Sequence, residues 1–542
     1  MDPITLAVLQ NRLNAIAEEM GEAMLRTAYS QILNSSRDFS VALVDAHCRL
    51  VAQADHIPVH VGAMPWAARA VAEAFPEPQA GDVYLMNDPY RGGSHLPDLT
   101  VCVPVFGAKG LVFWSVVRAH HSDIGGSTHG AYNPAATEIF QEGLRIPPIR
   151  LTEGGALRAD LLAMLALNVR HPRDFKGDLA AQIGAARLGE RRLGAVIAEH
   201  GEAVLGAAIE AMLDAAERHA RAIVGSWAEG VYVGEALLDD DGFGRRDIRV
   251  RARCTVRAGE VTVDLTESDP QARGFVNSSH ANMQSAVGMA FAFLLDPDMA
   301  RNAGAFRPLR VRARPGTIVW AEEGAPVTMC TSHCANEIIE AVVVALAPAC
   351  PDRAMGGWGR RLRVALAGRD ARNGRRFIWH MFQARPGGGA SAAGDGYSTI
   401  GEWHSAGGIK FGSIEVAETR FPLVFETHEY RPGSAGDGRY RGGYGGDMRL
   451  RVEAEGITYA NTAGEGVVHG ARGINGGQDG APHDYTLLAP DAPPRKLKSK
   501  EVNVPVPPGS VIHVRSGGGG GWGDPALRNP AARGADAEEG LA

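Results

Sequence analysis

Cysteine is scarce in this chain. Six residues in 542 (Cys48, Cys102, Cys254, Cys330, Cys334 and Cys350) are too few and too scattered to staple a fold, which excludes a disulfide framework and predicts free thiols. Cys330 and Cys334 flank His333, but one CxxxC without a second pair does not make a zinc site, and buried structural thiols are the expectation. Dense basic blocks are missing as well. With a formal net charge of −7 and no Lys/Arg run able to follow a phosphate backbone, nucleic acid is excluded as the main partner. Hydrophobic residues at 45% and charged residues at 22% are ordinary globular usage, so neither disorder nor a membrane protein is indicated. The first residues lack a basic segment followed by an apolar run; no signal peptide is expected, and the cytoplasm is the expected location. No GxxxxGK[ST] occurs, so the chain has no P-loop. Gly518, Gly520 and Gly523 satisfy GxGxxG, yet Asp524 and Pro525 follow and too little chain remains for a βαβ unit, which excludes a dinucleotide fold there. Any ATP site is therefore expected on another chain.

Glycine, by contrast, is abundant. The 68 glycines gather at 387–389, 442–446 and 517–521, where they predict positive-φ turns and close backbone approach, at a subunit contact or the mouth of a site. The length predicts two to four structural units. Asp2 and Pro3 read as N-cap and first helical position, and Leu6, Leu9, Leu13, Ile16, Met20 and Met24 continue at helical spacing. Short strands follow at 40–44, 83–86, 99–105 and 111–119. Residues 158–227 carry helical apolar spacing, 247–256 and 261–265 read as a hairpin, and 280–295 returns to helix. The reading is a mixed α+β, multi-domain chain. An N-terminal α/β region spans 1–157, a helical segment 158–228, a further α/β region 229–350 and a glycine-rich, mostly β region 351–542.

The chemistry concentrates in Asn87-Asp88-Pro89-Tyr90-Arg91-Gly92-Gly93-Ser94-His95-Leu96-Pro97-Asp98 and in Arg118-Ala119-His120-His121-Ser122-Asp123. Taking 107–110 as a reversal centred on Lys109 pairs residues whose numbers sum to 218. Asp98 then faces His120, Thr100 faces Arg118 and Cys102 faces Val116 on one side of the sheet, while Leu99, Val101, Val103, Val105, Phe113 and Val117 form an apolar opposite side. This register selects His120 over His121; a one-residue slip reverses the choice. His95, on a glycine-rich approach, can fold toward the same point. Two imidazoles and a carboxylate suit one divalent ion of the zinc, manganese or iron type; the same residues also serve as hydrogen-bonding loop residues, and the spacing leaves both readings open.

Arg37-Asp38-Phe39-Ser40, Leu50 to Ala54 with His56-Ile57-Pro58-Val59-His60, the 87–98 stretch, His120 to Gly126, Glu142-Gly143-Leu144-Arg145-Ile146-Pro147-Pro148, Asp395-Gly396, Glu418 to Pro422, and Arg441-Gly442-Gly443 with 517–525 together resemble the hydantoinase B family, which includes 5-oxoprolinase and ketone-carboxylase subunits. The likeness runs essentially end to end. It implies a metal held by Asp38, His95, Asp98 and His120, with His121 and Asp123 as second choices. It also implies a partner, a hydantoinase A-like ATPase subunit that binds ATP and phosphorylates the substrate oxygen. The implied activity is ATP-dependent hydrolysis of a cyclic amide such as a hydantoin or 5-oxoproline. Arg118 and Arg145 are candidates for steadying phosphate or a substrate carboxylate, and Glu142 for relaying a proton. Each of the three has a structural role as its alternative. Of His56 and His60, at most one is expected to reach the site. The competing functions are a subunit of an ATP-dependent ketone carboxylase and a non-catalytic scaffold for the ATPase subunit.

Overall fold

The computed structural model describes residues 2–54, 56–130 and 132–541. Helix α1 (Pro3–Thr27) opens on an Asp2 cap whose side chain accepts from the Thr5 N–H, with proline at the first position, and buries Leu9, Leu13, Ile16, Met20 and Met24 as their spacing predicts. A short turn, α2 (Gln31–Asn34), leads into an antiparallel sheet in the order β2-β1-β5-β4-β3-β6-β7. Its strands are β1 (Phe39–Asp45), β2 (Leu50–Gln53), β3 (Val83–Met86), β4 (Asp98–Gly107), β5 (Gly110–His120), β6 (Ile149–Glu153) and β7 (Ala156–Leu157).

The predicted register is the observed one. Asp98 pairs with His120, Thr100 with Arg118 and Cys102 with Val116, and the register shifts only beyond Val105, at the turn where Gly110 takes φ 131°. Period-two alternation then sorts the two faces. Leu99, Val101, Val103, Val105, Phe113 and Val117 join the main core with α1 and the long helix α5 (Pro172–His200), whereas Cys102, Trp114 and Val116 pack with Val61, Met64, Ala68 and Val71 of α3 (Pro58–Ala74). The sheet is thus covered on both sides.

Residues 158–228 form helices α4 (Ala159–Leu167), α5 and α6 (Glu202–Val224). A second sheet, in the order β11-β10-β9-β8, contains the expected hairpin: β8 (Gly230–Asp240), β9 (Arg246–Arg257), β10 (Glu260–Asp264) and β11 (Leu309–Arg312). Helices α7 (His280–Leu294) and α8 (Cys334–Leu346) connect its apolar face to α3. Beyond residue 351 lie a four-stranded and a five-stranded sheet with a smaller core of their own.

The glycine clusters join these parts. Gly387 donates to the Gly517 carbonyl, Gly519 to Gly443, Gly443 to Gly388, Gly436 to Gly519 and Gly520 to Gly357, so several extended segments share hydrogen bonds backbone to backbone. A Cβ at Gly387, Gly389, Gly442 or Gly519 would overlap a neighbouring carbonyl. Close approach is what these residues provide. The expected positive-φ turns are found at none of the three clusters; Gly523, just beyond 517–521, has φ 74°. All six cysteines are buried free thiols. Among the described residues, no helix is long and apolar enough to cross a membrane.

Candidate metal centre

Three elements deliver the central side chains. Asp98 begins β4 and His120 ends β5, directly opposite each other. His95 arrives on the 87–97 loop, which Asn87 staples: its amide donates to the carbonyls of Leu96 (2.7 Å) and Leu144 (2.9 Å), and its oxygen accepts from the Ile146 N–H (2.6 Å). Gly92, at φ 96°, and Gly93, tight against the Asn87 carbonyl, let the loop fold back on itself. Ser94 donates to Asp98 Oδ2 at 2.5 Å.

His95 Nε2 then stands 2.8 Å from Asp98 Oδ1, and His120 Nδ1 stands 3.2 Å from both. Ligand atoms on adjacent positions of an octahedral ion with bonds of about 2.1 Å lie about 3 Å apart, so this triangle fits a divalent cation. The tautomers agree. His95 Nδ1–H donates to the Thr328 carbonyl, which leaves Nε2 facing the triangle, and the Tyr132 hydroxyl lies 3.4 Å from His120 Nε2, which leaves Nδ1 facing it. It is the one group of three or more potential ligands found among the described residues.

Asp38 and His60 stand beside the triangle. Arg37, at φ 59°, turns the chain into β1 so that the Asp38 carbonyl accepts from the His120 N–H at 3.0 Å, and His60 Nε2 lies 3.4 Å from Asp98 Oδ2 and 3.7 Å from Asp38 Oδ1. One of the two candidate histidines therefore reaches the site; His56 stacks on Phe39 instead. Burial works against the charge on Asp98, yet His60, His95 and His120 hold its carboxyl well below the usual range. Burial, reinforced by Asp98, pushes Asp38 up to about 7. Burial also pulls His60 down to about 4 and His120 to about 3, so both are neutral near pH 7, whereas for His95 burial is outweighed by Asp98 and the Thr328 carbonyl, which raise it.

The remaining candidates occupy supporting positions. Arg118 is fully buried, donating from Nε to Thr100 (2.8 Å) and from Nη1 to the His60 carbonyl (3.3 Å). Glu142 accepts from the N–H groups of Val327 and Thr328, both at 2.9 Å, and so fixes the carbonyl that orients His95; burial raises its carboxyl to about 7. Arg145 pairs with Asp88 (3.0 Å) and Glu323 rather than with the cluster. His121 points to the other face of the sheet, 2.8 Å from Gln182 Oε1, and Asp123 pairs with Arg170.

Tyr132 and, from the C-terminal half, Arg361, Arg363, Arg385 and Glu402 are groups that no motif marked. Tyr132 stacks on His120 (ring centroids 5.6 Å apart), and the Arg363 guanidinium lies 3.5 Å from the Tyr132 ring centroid. Arg361 pairs with Glu402 at 3.0 Å, and Arg385 reaches the Ile409 carbonyl and the Ser405 hydroxyl.

The sequence model of the hydantoinase B/oxoprolinase family matches residues 2–525. The chain is 35% identical to caprolactamase subunit beta of Pseudomonas jessenii, over 100% of this chain and 94% of that protein. It is 28% identical to 5-oxoprolinase 1 of Arabidopsis thaliana, covering 96% of this chain but 42% of that longer protein. The crystal structure of the ATP-dependent caprolactamase from Pseudomonas jessenii superimposes with a TM-score of 0.93 at 34% identity, over 100% of this chain and 94% of that one. Nucleotide-free acetone carboxylase gives 0.91 at 22% identity, over 100% and 78%, a likeness of fold.

Proposed function

The chain belongs to the hydantoinase B/oxoprolinase family, and from that premise we propose that it is the metal-site subunit of an ATP-dependent cyclic-amide hydrolase, opening a ring whose amide oxygen a partner ATPase subunit has phosphorylated. The observation that carries this reading is the buried His95–Asp98–His120 triangle, with both imidazole orientations fixed from behind. Similarity to caprolactamase subunit beta over the full chain supports the substrate class and the existence of a partner subunit. Likeness to acetone carboxylase is one of fold and leaves hydrolysis the better supported chemistry.

An amide is a poor electrophile, and phosphorylating its oxygen makes the ring carbon attackable. Water oxygen joins that carbon, the ring C–N bond breaks with a proton passing to nitrogen, and a second water releases phosphate from the resulting acyl phosphate. His95, Asp98 and His120 would hold the divalent ion, with Asp38 as the family's fourth ligand and His60 flanking Asp98. When bound, such an ion supplies Lewis acidity to the reacting carbon. Arg118 positions His60 through its backbone carbonyl, and Glu142 positions His95 through Thr328. Arg145 braces the 87–97 loop through Asp88.

Elemental analysis of protein purified without a histidine tag is expected to give about one divalent metal per chain. A His95→Ala, His120→Ala double variant is expected to be folded, metal-free and inactive with its partner; full turnover by that variant would establish the scaffold reading instead. ATP consumption by the reconstituted complex, compared across caprolactam, 5-oxoproline, hydantoin and acetophenone, tests the substrate class, and stimulation by the ketone alone overturns the hydrolase reading.

A further inference from the structure

Buried guanidinium groups are costly unless carboxylates or other acceptors satisfy them. Three of them, Arg361, Arg363 and Arg385, are buried near enough to Asp38 for their charges to act on it, and Arg363 lies over Tyr132, which stacks on His120. Arg361 and Arg385 share the Glu402 carboxylate, at 3.0 Å and 3.9 Å. Arg363 has no carboxylate partner among the described residues. Its donors reach His380 Nδ1 at 2.6 Å and the Gly130 carbonyl at 3.4 Å, and its plane lies over Tyr132. The Nε–H groups of all three arginines are buried without an acceptor. Burial pulls both Arg363 and Arg385 down to about 10, so each remains cationic at neutral pH while paying for its desolvation.

The balance across the whole chamber points the same way. The carboxylate acting on Arg118 is Asp98, and those acting on Arg361, Arg363 and Arg385 are Asp38 and Glu402; a divalent ion would add two further positive charges. The site's residues are nearly sealed, with Asp38 at 7% exposed and Arg361 and Arg385 at 4% each, against none for His95 and Asp98.

We propose that Arg361, Arg363 and Arg385 form an oxyanion wall opposite the Asp/His cluster, built to take a phosphate group. This deepens the reading above and rests on its phosphorylated substrate: the wall would grip the phosphoryl group carried by the activated amide and then the free phosphate that is released. Planar guanidiniums match the tetrahedral oxyanion through paired N–H donors, and three of them offer more donors than the two oxygens of a carboxylate accept. Arg145 is engaged with Asp88, and Arg118, though its Nη2 is unpaired, donates to Thr100 and His60 on the Asp98 side.

The test is calorimetric titration of inorganic phosphate into the full-length chain, with and without a loaded divalent metal, with acetate as a parallel arm. One phosphate site per chain is expected. Arg363→Gln and Arg361→Gln are expected to weaken it at least tenfold with metal content unchanged, while Arg69→Gln, at the surface, leaves it unchanged. Arg363→Lys, which keeps the charge but loses the fork, is expected to fall between. It serves as the measured variant if Arg363→Gln fails to fold.

Absence of phosphate binding by the wild-type chain overturns the proposal, as does binding insensitive to the arginine substitutions or acetate bound as tightly as phosphate. Phosphate binding that depends on Arg363 in a chain that holds no metal would sustain the wall and overturn the metal reading. Metal retained with no arginine-dependent phosphate site would do the reverse.

Discussion

Replacing Gly519 by alanine tests whether the glycine clusters act by close packing. An ideal Cβ at Gly519 overlaps the Gly388 carbonyl and lies 2.9 Å from the Gly389 nitrogen, and both neighbours are backbone, so no side chain can swing aside. One segment must move. Three hydrogen bonds depend on the present spacing: Gly519 N–H to Gly443 (2.9 Å), Gly436 N–H to Gly519 (2.9 Å) and Gly443 N–H to Gly388 (2.8 Å). At about 1–3 kcal/mol for each buried group left unmade, the loss is about 3–9 kcal/mol. With a urea m-value of about 3 kcal/mol/M for a large chain, the unfolding midpoint drops by about 1–3 M. Gly184, exposed on α5 with nothing within 4 Å of its Cβ position, is the control. Alanine there is expected to stabilise by about 1 kcal/mol through helix propensity alone. Chemical denaturation of both variants reads the difference. If Gly519→Ala unfolds at the wild-type midpoint, the clusters are not held by backbone contact and the argument fails.

Three further outcomes follow from the site. Glu142→Gln can accept from only one of the Val327 and Thr328 N–H groups, so the Thr328 carbonyl loses its brace; metal affinity is expected to fall about 10–100-fold with the fold retained, and competitive chelator titration giving wild-type affinity would sink this positioning role. His120→Gln is expected to lose the metal and His121→Gln to keep it, since His121 faces Gln182 on the opposite side; equal metal content in the two variants refutes the register argument. Burial opposes the charge on Glu402, but Arg361, His404 and Arg385 overcome it and bring its carboxyl to about 2, below the usual 4.5. Its contribution is therefore complete above pH 4.5 and is withdrawn as pH falls toward 2. Glu402→Gln is expected to lose about 3–5 kcal/mol at neutral pH by stranding buried guanidiniums and to flatten the acid limb of the stability curve, and an unchanged limb contradicts the pairing.

The metal triangle was legible because its information is local. A two-residue side-chain period and one turn suffice to put Asp98 opposite His120 and to turn His121 away, and the structure reproduces the register to Val105. Helix α1 was equally readable from its cap and spacing. His60 was harder to place: Ser40 accepts from the Ile57 N–H, and this contact between β1 and the start of α3 is a tertiary one. The arginine wall lay beyond reach. Arg361 and Arg363 alternate with the core residues Leu362 and Val364, but nothing in that alternation relates them to Arg385, Glu402 or Tyr132. Backbone contacts of nearby glycines help to fix these arginines. Gly359 donates to Gly387, Ser516 donates to the Arg385 carbonyl, and Gly401 donates to the Pro386 carbonyl.

The two halves of the chamber make electrostatic sense only together. The first sheet brings Asp38 and Asp98 into a buried site where two carboxylates disfavour each other, and burial with that repulsion pushes Asp38 up to about 7. Arg361 and Arg363 act against that rise, as an ion between the carboxylates would. Yet each cation that relieves Asp38 adds to a wall already richer in guanidinium than in carboxylate. A divalent ion stabilises the acidic side and leaves the arginine side in greater need of an anion. Metal and phosphate should therefore bind with positive coupling, each strengthening the other through the chamber's low effective dielectric. On this reasoning the cluster and the wall are two parts of one site, assembled from the two halves of the chain and held in register by backbone contacts between glycines.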